Sequence, residues 1–492
     1  MRDLAAGIDS STQSCTVLLR RLEDGAPVAE ARAPHPPTTP PLSEQDPEAW
    51  WQALLACLRD LTAYLPRIAC LSVGGQGHGL VLLDAAGRPL RPAKLWNDTE
   101  SAPDAARLLA LRPAADWARL TGSIPAPALT VAKLAWTERR HPGLVARADR
   151  VLLPADYLVF RLTGRAVTER GGGSGTGYLD PARNAWVPEL AELAVPGIDW
   201  PRVLPEIIGS AEPAGVVTAA ELGPLAGATV GAGSGDNMTA ALGMDARPGD
   251  RVISLGTSGT IYGVTPVGVR DVTGRINGYA DATGFYMPMV TTLNAAKVTD
   301  TFRRLMDLTT DAFDALALGA RSDGLVLLPY LDGERCPDLP GATGLLTGLR
   351  SDTSRGQMAR AVAEGPLCGL LAGGDLLAAA GVVHDGRLIL TGGASRSAAY
   401  RQVLADLSGS AVLTCRMVET AAGGAAVQAA AALTGRPTAE IAAAWAPTLD
   451  EVAAPGPGAA AAEAVRGAYR AAFDRLAADA QDQPAPIPAS GA

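Results

Sequence analysis

Arg251-Val-Ile-Ser-Leu255, Gly256-Thr-Ser-Gly259 and Thr260-Ile-Tyr-Gly-Val264 run on as a strand, a hydroxyl-rich turn and a second strand. The first twenty residues follow the same plan. Leu4-Ala-Ala-Gly-Ile8 leads into the polar turn Asp9-Ser-Ser-Thr-Gln-Ser14, and Cys15-Thr-Val-Leu-Leu19 continues as a strand. The match is in plan more than in identity, a weak internal repeat. Its consequence is large: two halves of one basic design, each giving a hairpin loop to a shared cleft. A chain of 492 residues also suits two large domains better than a single core. The break falls at Arg247-Pro-Gly, so residues 1–246 and 247–482 are expected to form the two domains, followed by a frayed, proline-rich tail over 483–492.

Composition excludes several functions. A net charge of −9 and the lack of any basic run argue against nucleic acid or an anionic membrane as partner. Lysine occurs only at Lys94, Lys133 and Lys297, so an anionic ligand must be met by backbone amides and a metal ion. The six cysteines are scattered without a CxxC spacing and read as reduced, buried thiols. No apolar run has the length of a membrane span, since Leu370–Val383 is interrupted by Asp375, and no signal pattern opens the chain. The expectation is a cytoplasmic protein working on small molecules; a homodimer stays open.

Between the two hairpins lies Gly231-Ala-Gly-Ser-Gly-Asp-Asn237, which follows the apolar run Ala228-Thr-Val230 and precedes a helix-like segment, Met238–Met244. Glycines let a backbone approach a ligand closely, and this turn presents one carboxylate, Asp236, beside the amide of Asn237. The ordinary alternative is that Asp236 only N-caps the helix. No GxxxxGK[ST] segment is present, so phosphates cannot be held by a P-loop. The turns around Ser11 and Thr12, and around Gly256, Thr257 and Ser258, supply N–H groups and hydroxyls in a form suited to anions. Asp9 is placed to hold Mg²⁺ through water. Gly392, Gly393 and Ala394, between a strand and a helix, suit an adenosine. Gln76, His78, Trp96, Asn97 and Asp98 stand at strand ends and suit a polyol. Each of these has an everyday structural reading, a β-turn or a satisfied core histidine, when taken alone.

Taken in register, these segments resemble the FGGY carbohydrate kinases over nearly the whole chain. The resemblance runs through Gly7-Ile-Asp9, Glu44-Gln-Asp-Pro-Glu-Ala-Trp-Trp51, Gly75-Gln-Gly-His-Gly79, Leu95-Trp-Asn-Asp98, Ala132–Trp136, Leu153–Tyr157, Gly175-Thr176 and Gly235-Asp-Asn237. It continues through Ser254–Gly259, Leu328–Arg335, Gly344–Leu349 and Gly392–Ala394. It implies an α/β fold of two ribonuclease-H-like (actin-like ATPase) domains with the active site in the cleft between them. It also implies phosphoryl transfer from MgATP to the terminal hydroxyl of a ketopentose, with D-xylulose the first expectation and ribulose, another ketose or gluconate the alternatives. A remote alternative is an actin- or chaperone-like ATPase switch. By the same resemblance Asp236 is the base and Asp9 lies near magnesium. Gly77, His78 and Asn237 face the sugar, Thr12, Gly256 and Thr257 the phosphates, and Gly393 and Ala394 the adenosine. The chain departs from the family pattern at Gly77 (often methionine), Glu100 (often arginine), Ala155, Gly171-Gly172 and Cys336.

Overall fold

The computed structural model describes residues 2–482; the expected frayed tail lies outside them. Two seven-stranded sheets dominate, and their strands are numbered here in chain order. The first holds Leu4–Ser10 (β1), Ser14–Arg21 (β2), Pro27–Pro34 (β3), Ile68–Gly75 (β4), Pro213–Val216 (β5), Thr229–Gly231 (β6) and Ser234–Gly235 (β7). The second holds Arg251–Leu255 (β8), Gly259–Gly263 (β9), Asn277–Ala280 (β10), Tyr286–Thr292 (β11), Leu388–Thr391 (β12), Val412–Cys415 (β13) and Leu449–Ala453 (β14).

The spatial order is β5-β6-β4-β1-β2-β3, with β7 also on β4, and β10-β11-β9-β8-β12-β13-β14. In both sheets an antiparallel hairpin (β1–β2, β8–β9) carries a third antiparallel strand on one side and a parallel strand on the other. The repeat seen in sequence is therefore a repeat of topology. Central strands are covered on both faces and read as continuous apolar runs; every residue of β1 except Asp9 is buried.

The helices that matter for the cleft are Pro47–Asp60 (α1), Asp236–Gly243 (α2), Ala296–Leu305 (α3), Arg355–Ala379 (α4), Ala398–Ser408 (α5) and Thr420–Thr434 (α6). The first begins where the sequence dictates: Asp46 accepts from the Glu48 N–H at 2.9 Å and Pro47 occupies the first turn. The sequence predicts this helix over roughly Pro47–Leu65; it ends at Asp60, because the chain tightens into a 3₁₀ turn over Thr62–Arg67 that contains Pro66. Glycines 171–173 read as a loop in the sequence, yet they wind into a short helix, Arg170–Gly173, whose first amides are capped by Glu169. The sequence predicts a strand ending in Leu95-Trp-Asn-Asp98; the strand stops at Lys94.

One correction concerns α4. With 25 residues it is long and apolar enough to cross a membrane, contrary to the sequence reading, yet 72% of its apolar window is buried inside the protein. It starts on a Ser354–Gln357 capping box and serves as a core helix of the second sheet.

Helix α6 lies late in the chain but covers the first sheet. Its small residues are buried almost all round. They allow backbone-to-backbone contact: a Cβ on Gly7 would stand 1.7 Å from the Ala422 carbonyl oxygen, and one on Gly424 1.8 Å from that of Thr239 in α2. Helices α2 and α6 thus cross at glycines, Gly243 and Gly424.

Candidate active site

Three segments leave neighbouring strands of the first sheet at their carboxyl ends. Register places Asp9 beside Gly74 and Ser10 beside Gly75, while Ser234 and Gly235 face the same two glycines from the other side. The polar loop after β1, the Gln76-Gly77-His78 segment after β4 and Asp236 after β7 therefore emerge side by side, where ligands of parallel sheets bind. In the second sheet Ser254 lies beside Thr391, so Gly256 and Gly392 also emerge together.

The first loop is pinned by side chains. Gln45 Nε2 donates to the carbonyl of Thr12 (3.0 Å), and Trp96 Nε1 donates to Thr12 Oγ1 (2.9 Å). The His35 N–H donates to the carbonyl of Gln13 (2.8 Å), and its Nδ1 lies 2.9 Å from that of Ser11. Trp50 Nε1 in turn holds Gln45 at 2.7 Å, which explains why the Glu44–Trp51 segment belongs to the site without entering it. Asp9 Oδ1 is buried with no hydrogen-bond partner. Burial, then the Asp236 and Glu419 charges, push its carboxyl well above the usual range, with Arg32 opposing. A buried, unpaired carboxylate oxygen near a second carboxylate fits a divalent cation.

Asp236 is the first residue of α2, and the N-cap position belongs to Gly235. Its Oδ1 accepts from the Asn237 N–H (2.8 Å) and from Asn237 Nδ2 (3.1 Å). Part of its surface opens to the cleft, but protein surrounds it closely. Burial lifts its carboxyl to about 6, against the hydrogen bonds from Asn237. The turn behind it is tied to the second half of the chain. Gln428 of α6 donates to the Gly233 carbonyl (3.1 Å) and accepts from Ser72 Oγ (2.7 Å). Glu169 receives Ser234 Oγ at 2.6 Å and the Gly171 N–H at 2.8 Å, bracing the cleft wall.

At the end of the cleft beside the Gln76–His78 segment, Gly77, His78 and Trp96 line it. His78 takes a left-handed backbone (φ 64°) and burial, with Lys133 and Arg335 nearby, depresses its imidazole to about 3, so it is neutral. Gln76 is buried beneath, its Nε2 3.4 Å from Gln45 Oε1 and its Oε1 unpaired; Asn97 Oδ1 is likewise buried and unpaired. Asp98 does not reach the cleft. Its carboxylate receives Lys94 Nζ at 2.7 Å and the Ser43 N–H at 2.9 Å. Lys94 also meets Glu100 (2.8 Å) and Glu44 (3.2 Å), so Glu100 serves a buried ion cluster, and the ammonium occupies the space among the three carboxylates.

The second half supplies an uncharged loop. Gly256 and Ser258 line the cleft with Ser254 and Thr260, while Thr257 is exposed at the tip. Gly392 needs its positive φ of 86°, and a Cβ there would stand 2.5 Å from the Leu255 carbonyl oxygen, so the 392–394 turn abuts the end of β8. Gly393 is exposed with open space at its Cβ position, and Ala394 is half-buried.

These groups enclose a cleft of about 230 Å³ that joins Thr12, His78, Trp96, Asp236, Asn237, Gly256 and Ser258. Tyr279 and Arg335 complete it, and sequence reasoning missed both as individual residues. Arg335 closes a motif segment that drew attention as a whole, whereas Tyr279 lies in an edge strand without any local motif.

The comparisons with known proteins agree with this architecture. The N-terminal domain model of the FGGY family of carbohydrate kinases matches residues 4–243 and its C-terminal domain model residues 251–433. The chain is a member of that family and has its fold, two actin-like, ribonuclease-H-like domains. It is 43% identical over 444 residues to a xylulose kinase of Streptomyces rubiginosus, covering 90% of each chain. A solved xylulose kinase from Bifidobacterium adolescentis superposes with a TM-score of 0.84 at 33% identity, covering 96% of this chain and 99% of that one. A gluconate kinase from Lactobacillus acidophilus gives 0.88 at 25% identity, covering 96% and 98%.

Proposed function

We propose that this chain transfers the γ-phosphoryl group of MgATP to O5 of D-xylulose, giving D-xylulose 5-phosphate, with Asp236 as general base. The observation that carries the reading is that Asp236 opens into a space reached by both hairpin loops and by His78 and Trp96. The curated relatives named xylulose kinase point to the ketopentose. In this reading residues 1–246 bind the sugar and supply Asp9 and Asp236, while residues 247–482 bind the nucleotide in the cytoplasm.

Phosphoryl transfer asks chiefly for positioning and for neutralisation of charge. Gly77, His78, Trp96 and Asn237 orient the sugar, so that its terminal hydroxyl meets the Asp236 carboxylate and loses its proton as it attacks in line. A carboxyl lifted to about 6 is still ionised at neutral pH and is a better base than an ordinary aspartate. Backbone N–H groups and hydroxyls around Ser11, Thr12, Gly256, Thr257 and Ser258 receive the phosphates. Gly392, Gly393 and Ala394 take the adenosine. Asp9 is the residue to hold Mg²⁺, through water, and the ion supplies positive charge to the phosphates. Gln76 and Asp98 support the sugar side from behind, Gln76 through Gln45 and Asp98 through Lys94.

The test is MgATP-dependent ADP release with D-xylulose, D-ribulose, other ketoses, glycerol and gluconate. Turnover with D-xylulose well above the other polyols is expected. A preference for gluconate or glycerol would overturn the substrate, and turnover indifferent to every polyol would favour an ATPase switch.

A further inference from the structure

We propose that Tyr279 is the second half's contribution to sugar recognition: a specificity-determining residue whose phenol, paired with His78, walls the sugar end of the cleft. The inference rests on reading that end as the sugar site.

His78 is held from three sides. Its carbonyl accepts from Thr130 Oγ1 at 3.1 Å. Its Nδ1 lies against Gly175, where a Cβ would come within 1.9 Å of it. Its Nε2 stands 3.3 Å from the Tyr279 hydroxyl, and the two rings are 5.2 Å apart with a 35° tilt. Tyr279 comes from β10, the edge strand of the second sheet, and both its neighbours are fixed to the first half. The Gly278 N–H donates to the Gly122 carbonyl at 2.8 Å, and the Ala280 N–H to Ser174 Oγ at 3.2 Å. Nothing larger than glycine fits that crossing, since a Cβ on Gly122 would stand 2.6 Å from the Gly278 carbonyl oxygen. The phenol is thus delivered by a strand docked across the two halves rather than by a free loop.

The chemistry suits a polyol. Burial keeps the phenol protonated, with Arg335 pulling the other way, and the imidazole is neutral. A neutral pair offers both a donor and an acceptor, and such a site discriminates strongly between substrates that differ in a hydroxyl. Gly77, whose Cβ position has nothing within 4 Å, adds no bulk beside His78. The Tyr279 ring does. Since one imidazole serves both the sugar and Tyr279, sugar binding depends on the second half standing in place.

Tyr279→Phe and Tyr279→Ala test this, by steady-state kinetics and by the rise in Tm that sugar or nucleotide alone induces. Tyr279→Phe keeps the ring and is expected to raise the sugar KM about fivefold, with the ATP KM within about twofold. Tyr279→Ala should raise it by more than about tenfold and narrow the preference for D-xylulose over D-ribulose. In both variants the sugar-induced rise in Tm should shrink while the nucleotide-induced rise persists. Unchanged sugar KM and preference, or an equal rise in both KM values, would overturn the proposal. If D-xylulose proves inert with the unmodified protein, the ketopentose reading falls instead. The same two variants, run with whichever polyol supports turnover, then decide the role of Tyr279 by the same split.

Discussion

The two hairpins share a topology and divide the labour. At the next-to-last position of its leading strand the first carries Asp9, facing Thr16, and the second carries Ser254, facing Thr260. The first loop is held by the side chains of Gln45, Trp96 and His35. The second is held mainly by backbone: Gly256 N–H to the Ser258 carbonyl, and the Ala295 and Ala296 N–H groups, at the start of α3, to the carbonyls of Thr257 and Gly256, with one side-chain bond from Thr292 Oγ1 to the Gly259 carbonyl. Asp236 in the cleft and Asp9, close enough to feel its charge, both lie on the first half, whereas the second hairpin turn carries no charge. In the proposed function one repeat serves cation and proton, and the other is a cradle of amides for an anion.

Replacing Asp236 should separate the halves most sharply. Asp236→Asn is expected to lower kcat by about 10²–10⁴, equivalent to about 3–5 kcal/mol of barrier, with nucleotide binding to the second half retained. Because this carboxyl is raised in the folded protein, it binds protons more readily there than in the unfolded chain. Its cost to stability is therefore present at neutral pH and disappears as pH falls below about 6. Asp236→Asn should accordingly raise Tm at pH 7.5, and a variant that is both inactive and less stable would contradict the burial argument. In the unmodified enzyme the basic form is lost as pH falls, so kcat/KM should decline through an apparent pKa of about 6. An acid limb near 4 would mean that the cleft is wetter than its walls suggest.

Asp9→Asn comes next. It should raise the Mg²⁺ concentration needed for half-maximal activity about 10–100-fold while leaving the sugar KM in place. An unchanged Mg²⁺ requirement would remove the cation from the first hairpin. Ser254→Asp writes the missing charge into the second hairpin, to which the proposed function gives the phosphates and no cation. The expected result is an ATP KM raised several-fold, the equivalent of about 1–2 kcal/mol, with little change for the sugar. A tighter ATP site would show the two loops to be interchangeable. The smallest effect belongs to Thr12→Val, which deletes the hydrogen bond from Trp96. The loss of about 1 kcal/mol should appear in both KM values, since Thr12 of the proposed phosphate loop is bonded to Trp96 of the proposed sugar side.

Much of this was legible in the sequence, because hairpins, strand ends and glycine turns are local. The sequence predicts a helix over Thr130–Arg140, and the helix has those bounds. Asp236 also stands where the turn placed it. The remainder depends on contacts between distant segments. Nothing local distinguishes Asn277-Gly-Tyr-Ala280 from any edge strand, so Tyr279 becomes visible only when Gly278 meets Gly122. The polarity of Asp98 looked like sugar chemistry, but Lys94, four residues before it, claims the carboxylate. Glu100, a departure from the family pattern, is explained by the same lysine. Asparagine and glutamine in the turns gave no sign that Gln428, far along the chain, holds the turn before Asp236.

The glycine crossing of α2 and α6 also governs how the protein comes into being. The face of β1 around Gly7 is made within the first tens of residues, but its cover, Thr420–Thr434, is among the last elements to be synthesised. At ordinary elongation rates of about 5–20 residues per second the nascent first sheet waits tens of seconds on the ribosome with one side bare. A chain cut at 247 would keep that side bare permanently, so the two halves are partners in folding before they are partners in catalysis.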